Sequence, residues 1–354
     1  MSKKTLKKHN SIYIGIDVGG TAIKFGVFEY ISAKSKKLHS LDVKDKRLMD
    51  KFSVDTFLVK EDNEKHLMNY IFDVIDNYCK NNHLGIDKKQ IKGIGFAVPG
   101  PVVNNKLLHA VNINWTRKCD IETMVKERYG KNIKVKVLND ANAACIGEYE
   151  YAFKDKYNSM CLITLGTGVG TGIIIDGKLI EGKSGIAGEI SHIRIDYSDE
   201  AKKCNCGNVG CIETVASCRG VIEVYNRIVA KSKKMQNIVV EDDVVKKSEV
   251  INENLDELYS TKEIINRAKA GNVTAEKALN ISLGYVSSMI AILMHVFEPE
   301  VVVIGGGMSN AGAFITNIIE KHLKEKIFMT KTFPKIVIAK LKNDAGIIGA
   351  VVDL

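Results

Sequence analysis

The chain has 354 residues, 45% of them hydrophobic, enough for a large core and for two domains or a duplicated one. Its formal charge of +9 (51 basic against 42 acidic side chains) is spread thinly with no arginine-rich block, and so reads as solubility rather than a nucleic-acid footprint. The basic residues 1–10 have no apolar region after them, which argues against a signal peptide, and the longest apolar run, 289–297, is shorter than a membrane span. With Cys79, Cys119, Cys145 and Cys161 in apolar surroundings, a reducing cytoplasm is expected, with neither nucleic acid nor membrane as partner.

In chain order, residues 11–16 read as a strand, Asp17, Gly19, Gly20 and Thr21 as a turn, and 22–30 as a returning strand. Glycines beside a threonine let the backbone approach an anion, and Asp17 at the strand end is suited to hold Mg²⁺ through water. The competing reading is an ordinary glycine hairpin. Residues 31–62 are lysine-rich, and peripheral strands and loops are expected there. Leu67, Ile71, Val74, Ile75 and Tyr78 recur at helical spacing. Residues 91–98 form a buried strand that stops at Pro99 and Pro101. The loop carrying Trp115 follows a strand end, where open α/β sheets place substrates, although a lone tryptophan is more often core.

Residues 134–138 are a strand whose end, Asn139 and Asp140, turns into a helix. Asp140 is a candidate general base, with Asn139 beside it to orient a substrate hydroxyl. Asn and Asp are also preferred helix starters, and the local sequence alone favours the cap.

A strand at 160–165 leads into Gly166, Thr167, Gly168, Gly170 and Gly172, and a second strand at 173–175 follows. A dinucleotide fingerprint would continue into a helix, so that reading is rejected. The segment instead repeats the strand, glycine turn and strand of residues 12–29, which suggests a duplicated architecture clamping one phosphate chain from two sides. Residues 177–184 match the P-loop pattern letter for letter. Asp176-Gly177 between apolar strands is a hairpin signal, however, and Gly185 and Gly188 disfavour the required helix, so the match is accidental.

Cys204, Cys206 and Cys211, separated by glycines, form a knuckle for a soft cation, and His192 completes a Cys3His set suited to structural Zn²⁺. Cys218 is the alternative fourth ligand. C-x-C is too tight for an ordinary disulfide. Closure of this set gathers Glu189, His192 and Glu213, and metal on one ring nitrogen of His192 leaves the other N–H between two acceptors, a cradle for a small polyol. Residues 215–230 look helical, 231–254 are a charged insertion, and 261–297 carry two helices split at Gly271-Asn272. A buried strand at 300–304 runs into Gly305, Gly306 and Gly307 and then a helix, a nucleotide seat or a tight turn. Small residues at helical spacing in 345–350 should pack tightly, closing back on the first domain.

In this order the motifs resemble the ROK family of sugar kinases, within the actin/hexokinase/heat-shock ATPase fold, from Ile12 to the end. The resemblance rests on residues 17–21 with Lys24, on 99–101, on Asn139-Asp140, on 166–172, on E-x-x-H at 189–192, and most specifically on C-x-C-G-x-x-G-C-x-E at 204–213. It implies an α/β chain with a duplicated ribonuclease-H-like fold, two domains around a central cleft, and a zinc knuckle. The small domain would be 11–138, with a C-terminal helix, 343–354, packed back on it. The large domain would be 139–342.

The implied activity is transfer of the γ-phosphoryl group of ATP to a sugar hydroxyl, with Asp140 as base. Asn139, Glu189, His192 and Glu213 would hold the other hydroxyls, and His192, Cys204, Cys206 and Cys211 would hold structural Zn²⁺. Asp17, Gly19, Gly20, Thr21, Lys24, Gly166, Thr167, Gly168 and Gly170 would hold the phosphates of ATP with Mg²⁺, and Gly305, Gly306 and Gly307 would lie near the adenosine. Sugar and ATP are the expected small-molecule partners, the assembly a homodimer or a dimer of dimers, the setting cytoplasmic glycolysis. Residues 188–192 look closer to glucokinases than to fructokinases, which points to the 6-hydroxyl of glucose; N-acetylmannosamine and N-acetylglucosamine kinases share the motifs. Sugar-responsive repressors of the family carry a winged helix before the first strand, for which the residues ahead of Ile12 leave no room. A zinc-ribbon nucleic-acid binder would need neither phosphate hairpin. Two departures stand out: Ser191 and Thr171 replace usual glycines. Segments 31–62 and 231–254 carry no assigned role.

Overall fold

Strand β1 (Ile12–Val18) is buried along its length apart from Asp17, because sheet neighbours flank both edges and both faces are covered. In this computed structural model, residues 11–31, 42–57, 63–82, 90–110, 113–238 and 259–354 are described. Much of the two lysine-rich or charged segments, 32–41, 58–62 and 239–258, lies outside the described residues, as do 1–10 and Val111-Asn112. The chain divides into two compact units, 1–162 with 172–188 and 340–354, and 163–171 with 189–339.

In the first unit β1 pairs antiparallel with β2 (Ala22–Tyr30) across the glycine turn. β3 (Asp42–Val43) and β4 (Lys46–Asp55) extend that edge, so part of the lysine-rich segment is strand. Helix α1 (Asn63–Asn81) buries Leu67, Met68, Ile71, Phe72 and Ile75 in the core beside the sheet, as its apolar spacing requires. β5 (Ile91–Val98) then returns parallel to β1. A small sheet of β6 (Val102–Val103), β7 (Lys106–Leu107) and β8 (Cys119–Asp120) precedes α2 (Ile121–Tyr129). β9 (Lys134–Asn139) pairs parallel with β5 and runs into α3 (Asp140–Glu148). The main sheet order is β3-β4-β2-β1-β5-β9. Trp115 is a core residue, 1% exposed.

Gly26, Gly15 and Gly95 lie side by side across β2, β1 and β5. A Cβ on Gly15 would sit 2.0 Å from the carbonyl oxygen of Ile347, and one on Gly95 1.9 Å from that of Ala350. The stripe is therefore a trough for the C-terminal helix Ala345–Gly349, whose own Gly349 leaves no room for a Cβ beside the carbonyl of Ala143 on α3. Small residues at 345–350 do close on the first unit, and they meet glycines on the other side.

Beyond α3, β10 (Met160–Leu165) and β11 (Val169–Ile175) form the second glycine hairpin, and β12 (Lys178–Leu179) follows through a two-residue turn. Asp176 (φ 50°) and Gly177 (φ 71°) are both left-handed, as a type I′ turn demands. No helix follows Ser184 until a single 3₁₀ turn at Ile190–His192, so the P-loop letters are accidental. In the second unit, α4 (Glu213–Ala216) and α5 (Cys218–Ile238) break at Ser217. α6 (Thr261–Lys269) carries a capping box from Ser260 and Glu263, and α7 (Val273–Phe297) starts at its cap Asn272. α7 is long and apolar enough to cross a membrane by length and composition, and half of its most apolar window is buried inside the protein, as in a core helix.

β13 (Val301–Gly305), α8 (Ala313–Lys324) and β14 (Lys335–Ile338) complete a sheet of order β12-β11-β10-β13-β14. The run β2-β1-β5-β9 in one sheet is matched by β11-β10-β13-β14 in the other: a glycine hairpin, then two later strands added beside its first strand. Gly95→Ala should force the C-terminal helix off the sheet and lower stability by about 1–3 kcal/mol, as overpacking does, whereas Gly130→Ala, with nothing within 4 Å, should lose only the cost of its positive φ. Denaturant midpoints of the two variants check this, and equal losses would refute the trough.

Candidate active site

The first glycine turn is built by the β1–β2 register, which places Asp17 opposite Lys24; their side chains pair at 2.9 Å. Asp17 is held from behind, since a Cβ on Gly346 would come within 2.9 Å of its Cγ. The turn closes with Gly19 N–H donating to Ala22 C=O, and Thr56 supports it through its hydroxyl on Gly19 C=O (2.7 Å). Gly20 and Thr21 are exposed, with Thr21 giving its carbonyl to the Thr56 N–H. In the same unit, Asn139 is the cap of α3: its side-chain oxygen accepts from the N–H groups of Ala141 (2.9 Å) and Asn142 (3.2 Å), and its NH₂ donates to Gly100 C=O. The cap falls one residue before Asp140, which is the exposed member of an otherwise buried first turn and accepts from Ala141 N–H at 2.8 Å. Asp140 is thereby oriented by the positive end of the helix.

In the second unit, the side chains of His192, Cys204, Cys206 and Cys211 converge so that their ligand atoms all lie within 4.8 Å of one another. Cys204 Sγ is 3.6 Å from His192 Nδ1, and Cys206 Sγ is 3.6 Å from Cys211 Sγ. Ligands about 2.3 Å from a tetrahedral ion stand roughly 3.8 Å apart, so this set fits a metal and needs little rearrangement to take it. Cys218 is not part of the cluster; it opens α5 and gives its N–H to Gly166 C=O. The knuckle's turns rest on Gly207 and Gly210, both at positive φ, and Gly210 leaves no room for a Cβ beside Asp196 C=O. Between residues 193 and 210 only Cys204 and Gly210 are buried, so this segment has almost no apolar core of its own. A metal would stand in for that core.

With Nδ1 turned to the thiols, His192 presents Nε2 toward Glu189 Oε2 at 3.6 Å. Burial raises the Glu189 carboxyl above the usual range, the nearby Glu213 charge adds to this, and His192 opposes it. Ser191 lies buried in the 3₁₀ turn between them. Glu213 heads α4 with Oε1 3.6 Å from Cys204 Sγ and Oε2 accepting the N–H of Val169 at 3.0 Å. The glycine loop therefore touches the knuckle through Glu213. Thr167 is exposed at its tip, Gly170 N–H is held by the Thr164 hydroxyl, and Thr171 is buried with a hydroxyl that has no partner among the described residues.

At the end of β13, Gly306 (φ 78°) abuts the carbonyl of Leu165, so a tight turn alone requires it, whereas Gly307 faces open space. Gly305 is buried as the last strand residue. Before α8 comes a 3₁₀ turn, Gly307–Ala311, rather than a direct helix start.

Two features escaped the sequence. One is the Glu213 contact with the loop. The other is Glu148, fully buried, which accepts the N–H groups of Lys340 (2.8 Å) and Leu341 (2.6 Å); burial raises its carboxyl, and the only signal was an acid closing the apolar half of α3.

The ROK family model matches residues 13–352. The chain belongs to the ROK family. It is 32% identical over 347 residues to a glucokinase of Halalkalibacterium halodurans, covering 95% of this chain and 93% of that one. It is 31% identical over 296 residues to a xylose repressor of Caldicellulosiruptor bescii, covering 83% of this chain and 69% of the repressor. Among solved structures, a ROK family glucokinase from Streptomyces griseus in complex with glucose and AMPPNP aligns with a TM-score of 0.71 at 26% identity, covering 96% of this chain and 98% of that one. The fold is that of the actin/hexokinase class, as the repeated strand order indicates.

Metal analysis of the purified protein should return about one zinc per chain at neutral pH. Cys206→Ser should lose it, and acidification should release it as the ligands protonate. Zinc retained by Cys206→Ser would exclude Cys206 as a ligand.

Proposed function

We propose that the chain is an ATP-dependent hexose kinase that phosphorylates the 6-hydroxyl of glucose. The observation that carries this reading is the convergence of Glu189, His192 and Glu213 at the Cys3His cluster, in a chain similar to a glucokinase over nearly its whole length. Two carboxylates and an imidazole whose free nitrogen points away from the thiols form a donor–acceptor set suited to neighbouring hydroxyls of a pyranose. Zinc, when bound, would fix the tautomer and orientation of His192.

In this reading Asp140 orients the acceptor hydroxyl and takes its proton late, since phosphoryl transfer has a loose transition state that asks for positioning more than for a strong base. Exposure in the first turn of α3 suits that task. Asn139 has spent its side-chain oxygen on the cap and one N–H on Gly100, which leaves its second N–H for a sugar hydroxyl. The turn of Asp17, Gly19, Gly20 and Thr21, with Lys24, and the loop of Gly166, Thr167, Gly168 and Gly170 would receive the phosphates of ATP at their exposed tips, Gly20-Thr21 and Thr167, with Lys24 as the cation. Gly307, open at the end of β13, suits the adenosine better than Gly306, which its turn already explains. Mg²⁺, held near Asp17 through water, would neutralise phosphate charge.

Mg-ATP with glucose should release ADP in a coupled assay, faster than with mannose, fructose, N-acetylmannosamine or N-acetylglucosamine. Preference for an acetamido sugar would reassign the substrate, and sugar binding without turnover would point to a sensor. Asp140→Asn should reduce turnover by about 10²–10⁴ while leaving sugar affinity within a few-fold. A variant with near wild-type turnover would remove Asp140 as the base.

A further inference from the structure

We infer that Glu213 is a positioning residue that ties the glycine loop at 166–170 to the Cys3His knuckle, so that a metal-loaded knuckle sets the shape of the loop. The inference rests on the proposed reading in one respect, that this loop receives nucleotide phosphates.

The loop backbone is fastened at three points outside its own turn. Gly166 C=O accepts from Cys218 N–H (2.8 Å), Val169 N–H donates to Glu213 Oε2 (3.0 Å), and Gly170 N–H donates to the Thr164 hydroxyl (3.2 Å). Two of the three partners belong to the segment that begins two residues after the ligand Cys211. The other oxygen of Glu213 stands 3.6 Å from the ligand Cys204. A carboxylate accepting a backbone N–H is a charge-assisted bond, stronger than its neutral counterparts.

Gly168 gives independent support. A Cβ there would lie 2.6 Å from Glu213 Oε2 and 3.5 Å from its carboxyl carbon. Its φ is not in the left-handed region, so no backbone strain demands glycine. The absent side chain makes room for the carboxylate, and Gly168 and Glu213 are two halves of one contact. A hydroxyl ligand on Glu213 and a phosphate on the loop then act through a single carboxylate, and each must change the affinity of the other by the same factor.

Five proteins test this: wild type, Glu213→Ala, Glu213→Gln, Gly168→Ala and the Gly168→Ala/Glu213→Ala double variant. Amide exchange at 166–170 is read without ligands, Mg-AMPPNP affinity by calorimetry without sugar, and zinc by metal analysis. Glu213→Ala should keep its zinc, exchange the Val169 amide at least about tenfold faster, and bind Mg-AMPPNP about tenfold more weakly. Glu213→Gln, which retains an acceptor oxygen, should recover most of both. Gly168→Ala should weaken nucleotide binding by itself, and the double variant should be no weaker than Glu213→Ala. Chelating zinc from the wild type should speed Val169 exchange in the same way. Unchanged Val169 exchange in Glu213→Ala, or additive losses in the double variant, would overturn the inference. A wild type that binds no Mg-AMPPNP would overturn the kinase reading, while Val169 exchange would still decide the tie.

Discussion

The second unit depends on a convergence of three thiols and one imidazole within 4.8 Å. Residues 193–210 are almost wholly exposed, and Tyr197 and Val209 point outward instead of building a core. Burial pushes the Cys204 thiol up to about 12, and as a thiol it offers only weak hydrogen bonds to hold this segment. A divalent ion reverses that preference, because it stabilises thiolate at the very position where burial disfavours it. With a metal bound, everything attached to the knuckle would inherit its order: Glu189 through His192, Glu213 through the short stretch from Cys211, and the glycine loop through Glu213.

The first unit is organised by a different constraint, backbone closeness. Three glycines aligned across adjacent strands bring the sheet within contact distance of the C-terminal helix, whose glycines reciprocate against Asp17 and α3. This is steric exclusion rather than hydrophobic transfer, since the groups in contact are largely peptide carbonyls. It matters for chemistry because Asp17, a strand-end carboxylate, is wedged between Gly346 and Lys24. Glu148 adds a polar anchor by satisfying two backbone N–H groups where the chain enters its last segment.

Much of this was legible in one dimension. The alternation and runs that mark the strands, the Asp176-Gly177 turn, the helix break at Gly271-Asn272 and the Cys and His spacing are local signals with local causes. Glycine was harder to read. Sequence treats Gly168 and Gly306 alike, as places where a ligand or a turn needs room, and leaves Gly95 as an interruption of a buried strand. In the structure they serve a carboxylate, a carbonyl from the neighbouring strand and a helix packed on the sheet. The cap of α3 shows a similar limit: Asn139 and Asp140 both fit the role, and only the helix start assigns it to Asn139.

The repeated glycine hairpin, most of the strands and helices and the three thiols of the knuckle were readable without coordinates, because each follows from nearest-neighbour chemistry and periodicity. The fourth member of the cluster stayed open between His192 and Cys218 until the fold brought His192 in. The sequence also carried the family, since motif order survives without coordinates. What each glycine makes room for, which oxygen of Glu213 meets the loop, and that Glu148 is a buried acceptor rather than a surface acid all depend on the folded chain. Those are distances between residues far apart in the chain, and no local pattern encodes a contact whose two halves lie 44 residues apart, as Val169 and Glu213 do.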